Sequence, residues 1–216
     1  ESPPVGDTKP ISRAESQERT RRALLAAADR RFESQGYLGT TLAEIAADAG
    51  LTKGAVYANF RSKADLFLAV RQEWSLGGIP DLAAEARALD DLDEWIALIA
   101  DWVAALGGEG EQRQRAYSEF LVEAAATPEA ARAFVDPYRS ARSMVAEMLA
   151  AELSRLLVMD VEPGHLEVQV DIFFAAVAGL AFIRTLDDDI PSEAYRIAVR
   201  NLILGTMEVA AEADAG

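Results

Sequence analysis

Apolar residues recur along this chain at the three- and four-residue intervals that place side chains on one face of an α-helix. Leu24, Leu25, Ala28 and Phe32 share such a face in the first predicted helix. No segment alternates polar and apolar residues for long enough to indicate a β-strand. The pattern therefore predicts an all-α fold of about nine helices.

Capping signals divide the first third of the chain into short helices. Ser12–Glu15 and Thr41–Glu44 have the spacing of capping boxes, which open helices. Gly36 and Gly50 follow apolar helical stretches, where a glycine stops a helix in the left-handed conformation. A third short helix is predicted over residues 52–58, and a fourth opens at Ser62.

The stretch Gly77-Gly78-Ile79-Pro80 interrupts the helical pattern and predicts a domain boundary. Residues 1–11 are rich in proline, glycine and serine and are expected to be disordered. Residues 12–76 then form an N-terminal domain and residues 77–216 a C-terminal one. The C-terminal part includes predicted helices over about 129–159, 165–186 and 191–213.

Composition excludes several classes of function. The chain has no cysteine and one histidine, which excludes disulfides, thiolate metal sites and cysteine nucleophiles. Glu162 and His165 have the spacing of a di-iron motif, but Pro163 and Gly164 between them place the pair in a turn. We therefore expect no catalytic residues, no metal site and no cofactor.

The longest apolar run, residues 172–183, is shorter than the ~20 residues that cross a bilayer. The N-terminus lacks the apolar core of a signal peptide. A cytoplasmic protein with no membrane partner is expected.

Charge is distributed unevenly between the two parts of the chain. The net charge of −15 divides into +2 over residues 1–71 and −17 over residues 72–216. Such asymmetry is typical of a nucleic-acid-facing segment on an acidic body, and also of a generic acidic surface that keeps a protein soluble. It argues against a protein that coats DNA without sequence preference, because phosphates would repel most of its surface.

Residues 41–60 have the layout of a helix-turn-helix: a capped short helix, a tight turn through Gly50 and a second short helix. The residues predicted to pack inward are Leu42, Ile45, Ala46, Leu51 and Val56. Several outward residues of the second helix have no packing role. The second helix of such a motif lies in the major groove of DNA, where its N-terminal side chains contact the base edges. The predicted DNA-contacting residues are Thr41, Thr52, Lys53, Gly54, Ala55, Tyr57 and Lys63.

The spaced residues of this stretch resemble the signature of tetracycline-repressor-type (TetR-like) transcriptional regulators. They are Gly36-Tyr37, Thr40-Thr41, Ile45-Ala46, Ala49-Gly50, Lys53-Gly54, Val56-Tyr57, Asn59-Phe60 and Ser62-Lys63. The resemblance covers about residues 16–70. It implies a homodimer with an N-terminal DNA-binding domain, 12–76, and a C-terminal effector-binding and dimerisation domain, 77–216. It places phosphate contacts on Thr41, Tyr57 and Lys63 and base contacts on residues 52–55.

Two further sets of residues are candidates in the C-terminal part. Aromatic residues and methionines at helical spacing are most often core, but the resemblance makes them candidates for a ligand cavity: Trp95, Trp102, Tyr117, Phe120, Met144, Met148 and Phe174. The helix predicted over 165–186 is apolar on more than one face, which indicates burial on more than one face. The predicted dimer interface comprises Val168, Ile172, Ala175, Gly179, Ile183, Tyr195, Val199, Leu202 and Ile203.

These observations predict a DNA-binding transcriptional regulator: a dimeric repressor that a small apolar ligand releases from a palindromic operator. The effector itself is unknown. The alternative is an all-helical small-molecule-binding or enzymatic protein whose DNA-binding domain is vestigial.

Overall fold

The computed structural model describes residues 12–76, 79–108, 110–157, 161–187, 189–191 and 193–214. All regular structure in these ranges is helical, which confirms the predicted all-α fold. The helices are α1 (Arg13–Gln35), α2 (Leu42–Asp48), α3 (Lys53–Asn59), α4 (Lys63–Leu76), α5 (Ile79–Arg87), α6 (Leu92–Gly108), α7 (Glu111–Ala126), α8 (Pro128–Leu157), α9 (Pro163–Arg184) and α10 (Glu193–Asp214). The segment 1–11, predicted to be disordered, lies outside the described residues.

The described residues form ten helices, and α5 is the one that the sequence pattern did not predict. It begins at Ile79, inside the stretch interpreted as a break. Pro80 is its second residue, a position where the missing proline N–H removes no helical hydrogen bond. Pro128 and Pro163 stand at the first positions of α8 and α9, whereas Pro137 lies inside α8.

Both predicted capping boxes are present. Ser12 Oγ accepts from the Glu15 N–H at 3.2 Å, and the Ser12 N–H donates to Glu15 Oε2 at 2.8 Å. Thr41 and Glu44 repeat the arrangement at 3.3 and 3.0 Å. Each box satisfies two N–H groups that the first turn leaves unpaired, which fixes where α1 and α2 begin.

A cluster of four aromatic rings joins α1, α4 and α7. Phe32, Tyr37, Phe67 and Phe120 are fully buried. The Tyr37 ring centroid lies 5.9 Å from that of Phe32, 5.0 Å from Phe67 and 5.3 Å from Phe120. Since Phe120 belongs to α7, the apolar core that packs the first four helices continues into the C-terminal part.

Two hydrogen bonds connect the turn after α1 to α7. The Leu38 N–H donates to Glu119 Oε2 at 2.9 Å, and the Tyr37 hydroxyl donates to Glu123 Oε1 at 3.3 Å. Gly36 has φ +75°, and a Cβ there would lie 2.5 Å from Glu119 Oε2. Glycine adopts this φ without strain, and its lack of a Cβ also lets the Glu119 carboxylate lie close to the backbone.

The remaining helices bury two further apolar clusters. One joins α5, α6, α8, α9 and α10 through residues such as Trp95, Leu153 and Leu166. The other joins α6 to α10 through Ala100, Val103, Tyr195 and Val199, with residues of α9 packed against them.

Helix α9 has 22 residues and is long and apolar enough to cross a membrane by length and composition, unlike the shorter run counted from the sequence. A single helix of this kind is weak evidence for insertion. Its carboxylates are paired with α8: Tyr138 donates to Asp171 at 2.6 Å, and Arg142 pairs with Asp171 at 3.1 Å and Glu167 at 2.9 Å. These contacts are those of a helix packed in a bundle.

Lys63, the first residue of α4, closes the corner between α1 and α2. Its ammonium donates to the Tyr37 carbonyl at 3.1 Å and to the Thr40 carbonyl at 3.4 Å. The same nitrogen lies 4.1 Å from the centroid of the Tyr37 ring. Lys63 therefore ties α4 to the chain that leads into α2.

We expect Lys63→Met to lower the free energy of unfolding by about 1–3 kcal/mol, because two partly buried carbonyls lose their charged donor. Urea unfolding followed by tryptophan fluorescence measures this difference. Lys53→Met is the matched control: Lys53 is exposed, and its removal is expected to change stability by less than about 0.5 kcal/mol. Equal stabilities for the two variants would show that the carbonyl contacts contribute nothing.

Candidate nucleic-acid interface

Helices α2 and α3 are joined by a four-residue turn whose geometry follows from Gly50. The Leu51 N–H donates to the Ala46 carbonyl at 2.8 Å and the Gly50 N–H to the Ala47 carbonyl at 3.0 Å. Together with φ +67° at Gly50, this pair of bonds is the Schellman motif that ends a helix and reverses the chain. Thr52 then caps α3, its Oγ1 accepting from the Ala55 N–H at 3.3 Å.

The residues predicted to lock the helix-turn-helix do pack inward. Ile45 and Val56 are fully buried, and Ala46 is nearly so. Leu42 and Leu51 are partly buried against the same cluster. This packing holds α3 against α1 and α2 with one face turned to solvent.

The solvent face of α3 carries three of the predicted DNA-contacting residues. Lys53, Gly54 and Tyr57 are exposed, with 53% of Tyr57 accessible. The Lys53 ammonium lies 5.8 Å from the centroid of the Tyr57 ring. Around Gly54 the nearest atom to an added Cβ would be Thr52 Oγ1 at 3.7 Å, so the backbone is open to close approach.

The other predicted contacts already have partners within the chain. Thr41 Oγ1 donates to Glu44 Oε2 at 2.6 Å, and the Thr52 hydroxyl is the cap of α3. Ala55 is partly buried. The Lys63 ammonium has the two carbonyl acceptors described above. Their roles at DNA stay predictions, and Tyr57 is the predicted phosphate contact whose side chain is exposed.

One supporting residue of this unit was missed from sequence alone. Arg31 of α1 donates through Nη2 to Asp48 Oδ1 at 2.8 Å and lies 3.7 Å from Glu44 Oε1. Hydrogen bonding to Arg31 holds the pKa of Asp48 below its usual range. Arg31 and Asp48 are 17 residues apart in the sequence and lie on different helices, so only the tertiary fold brings them together.

The residues predicted to line a ligand cavity are distributed over three apolar clusters and the surface of α8, and their role at a ligand stays a prediction. Tyr117 and Phe120 belong to the cluster around Tyr37. Trp95 and Phe174 pack in the cluster that joins α5, α6, α8, α9 and α10, and Trp102 packs against the one that joins α6 to α10. Met144 and Met148 are exposed on α8. A groove of about 300 Å³ lies elsewhere, between α7 and α9, lined by Gln114, Ser118, Leu121, Val122, Ala178, Gly179 and Phe182.

The predicted dimer residues divide into two groups. Val168, Ile172, Ala175, Gly179 and Ile183 are exposed along α9, whereas Tyr195, Val199, Leu202 and Ile203 are buried within the chain. The second group is a correction: that face of α10 packs on α6 and α9, so a partner cannot reach it. The exposed apolar residues of α10 are Ile197 and Leu204.

Comparisons with known proteins agree with this architecture. Residues 24–70 match the family described as bacterial regulatory proteins, tetR family. The HTH-type transcriptional regulator AcrR of Shigella flexneri is 43% identical over 77 residues, 36% of this chain and 35% of AcrR. The uncharacterized HTH-type transcriptional regulator TtgW of Pseudomonas putida (strain DOT-T1E) is 34% identical over 113 residues, 50% of this chain and 76% of TtgW.

A solved structure extends the likeness beyond the matched segment. NalD, the secondary repressor of the MexAB-OprM multidrug efflux pump in Pseudomonas aeruginosa, superimposes with a TM-score of 0.53 at 22% identity. The superposition covers 89% of this chain and 97% of NalD, and at this identity it shows a shared fold. The sequence match to AcrR spans only about a third of that relative's length, whereas the match to TtgW spans three quarters. The chain therefore belongs to the tetR family of bacterial regulatory proteins, a non-enzymatic family of transcriptional regulators.

Proposed function

We propose that the protein is a transcriptional repressor that binds a palindromic operator as a dimer and is released by a small apolar ligand. The observation that carries the DNA-binding part is the exposed face of α3. Lys53, Gly54 and Tyr57 lie there without a packing role, on a helix held in place by buried Ile45 and Val56. Bacterial operators lie in the cytoplasm, and we place the function there.

The arrangement of α3 suits insertion into a major groove. Lys53 is the first helical residue, and the N-terminal side chains of a recognition helix reach base edges. A lysine at this position favours the O6 and N7 acceptors of guanine. Gly54 and Ala55 add little bulk beside it, and Tyr57, exposed one turn later, would donate its hydroxyl to a phosphate.

Different substitutions on α3 should therefore have different effects on DNA binding. We expect Lys53→Ala to change the preferred bases in duplexes selected from a random-sequence pool, and Tyr57→Phe to weaken all duplexes alike while keeping the preference. Fluorescence anisotropy with selected and with mixed-sequence duplexes distinguishes the change in base preference from the uniform loss of affinity. Thr20, which bonds to Ser16 within α1, provides a control in Thr20→Ala. If both variants bind as the parent does, α3 is not the recognition helix.

The outer face of α9 supports dimer formation. Val168 and Ile172 are each 64% exposed, and Phe182 and Ile183 continue the apolar surface toward the end of the helix. Ala175 and Gly179 are small and would let a second helix approach closely. A monomer seldom leaves an apolar stripe of this length in water, and two copies related by twofold symmetry would cover it.

Ile172→Asp should split the dimer, because it places a charge in the middle of the apolar stripe. Analytical ultracentrifugation of the parent is expected to give a mass near twice 23.3 kDa, and of the variant a mass near 23.3 kDa. Operator affinity should fall with dissociation, since one subunit reads one half-site. Ala151→Asp puts the same charge on an exposed position of α8 and is expected to stay dimeric. If the Ile172→Asp variant stayed dimeric, α9 would not be part of the dimer interface.

The junction between α1 and α7 supports release by a ligand. Glu119 and Glu123 of α7 bond to Leu38 and Tyr37, directly before the helix-turn-helix. A ligand that moved α7 would pull on this corner and so shift α2 and α3. Couplings between two such sites are typically about 1–3 kcal/mol, or about 5–150-fold in affinity.

A compound that releases the operator should change tryptophan fluorescence over the same concentration range, because Trp95 and Trp102 lie in the clusters of the C-terminal part. Trp95→Phe and Trp102→Phe identify which residue responds. Glu119→Gln should bind the compound with an unchanged fluorescence response yet release DNA less, since the bond to Leu38 is weakened. Release from Glu119→Gln equal to that of the parent would exclude this junction as the route.

A further inference from the structure

Arg21 of α1 lies across the residue that ends α3. Its guanidinium carbon is 4.6 Å from the centroid of the Phe60 ring. Phe60 is buried, and its N–H donates to the Val56 carbonyl at 2.8 Å as the cap of α3. A guanidinium stacked on a ring uses its face and keeps its N–H donors at the edge of the plane. Arg21 is thus held against the end of α3 with its donors still available.

The carboxylate that interacts electrostatically with Arg21 is already hydrogen-bonded to another arginine. Asp65, which Arg21 attracts through space, accepts from the Arg61 N–H at 2.9 Å and from Arg61 Nη2 at 3.1 Å. In the part of the chain that the structure describes, Arg21 forms no ion pair, whereas the adjacent Arg22 pairs with Glu18 at 3.1 Å. Arg61 is thus held by Asp65, with Asp136 of α8 also acting on it through space, whereas no hydrogen bond or ion pair among the described residues uses the Arg21 donors.

Arg21 lies outside the part of α1 that contacts α7. That part runs from Asp29, which Arg113 approaches to 3.7 Å, to the corner at Leu38, and Arg21 precedes Asp29 by eight residues, or about 12 Å along the helix axis. Arg21 therefore lies beyond this contact, beside the residue that ends α3. Arg61, which follows Phe60, has 87% of its side chain exposed at the same end of α3.

We propose that Arg21 is a phosphate-binding residue that holds the DNA backbone at the C-terminal end of α3, with Arg61 beside it. The proposal rests on DNA binding through α3. A guanidinium edge matches two phosphate oxygens in a bidentate arrangement. Such a contact fixes the register of the protein on the duplex and carries no base information. Arg21 lies before residues 24–70, the segment matched by the family.

The test compares Arg21→Gln, which keeps a planar polar group on a shorter side chain but loses the charge, with Arg21→Lys, which keeps the charge but loses the planar group. Affinity for a duplex selected by the parent and for a mixed-sequence duplex is measured by anisotropy over a range of salt concentrations. Arg21→Gln should weaken both duplexes alike, by about tenfold or more. The slope of log K against log salt should fall by about 0.9 per lost phosphate, or about 1.8 for a dimer. Arg21→Lys should keep the parent's slope.

Arg22→Ala is the matched control, because Arg22 is the next residue, is 73% exposed and is paired with Glu18. Its slope and affinity should stay close to the parent's. If Arg21→Gln keeps the parent's slope while its unfolding midpoint falls, Arg21 only supports Phe60 and the proposal is wrong. An equal loss for Arg22→Ala would also overturn it, since a general field of positive charge would then explain both. A parent that binds no duplex would instead overturn recognition through α3, on which this contact depends.

Discussion

The packing of Tyr37 between α1, α4 and α7 is the contact on which the arrangement depends. Its ring meets Phe32, Phe67 and Phe120, its hydroxyl donates to Glu123, and its carbonyl accepts from Lys63. Burial raises the pKa of this hydroxyl, so it stays protonated as a donor. One residue after α1 therefore connects the apolar core, the start of α4 and the helix that leads into the C-terminal part. The unit that presents α3 is not a separate body on a tether.

Local signals in the sequence were enough to predict most of the fold. The boxes at Ser12 and Thr41 and the left-handed turn at Gly50 act within a few residues, so their geometry follows from the residues themselves. The stripe that includes Ile45 predicted the correct inward face. Helix α5 was missed because two glycines before Ile79 indicate a break, although Pro80 is well suited to the first turn of a helix.

The placement of a site residue was predictable from the sequence only where it depends on the helix that carries the residue. The exposure of Tyr57 follows from the inward stripe of α3. The carbonyl partners of Lys63 lie 23 and 26 residues earlier, and no local spacing reveals them. Tyr195 lies on an apolar helix face, but whether that face meets another helix of the chain or a second subunit depends on tertiary packing. For the same reason Phe120 proved to be part of the core that joins α7 to α1.

The length of α1 makes it a lever. Its C-terminal half contacts α7 between Asp29 and Leu38, and Arg21 lies about 12 Å beyond Asp29 along the same helix. A tilt of about 10° at the contact with α7 would carry Arg21 through about 2 Å. Hydrogen bonds form only over a few tenths of an ångström around 2.9 Å, so this displacement is enough to break a contact with a phosphate. A small rearrangement at α7 would thus be amplified, by the length of α1, into loss of the proposed contact between Arg21 and a DNA phosphate.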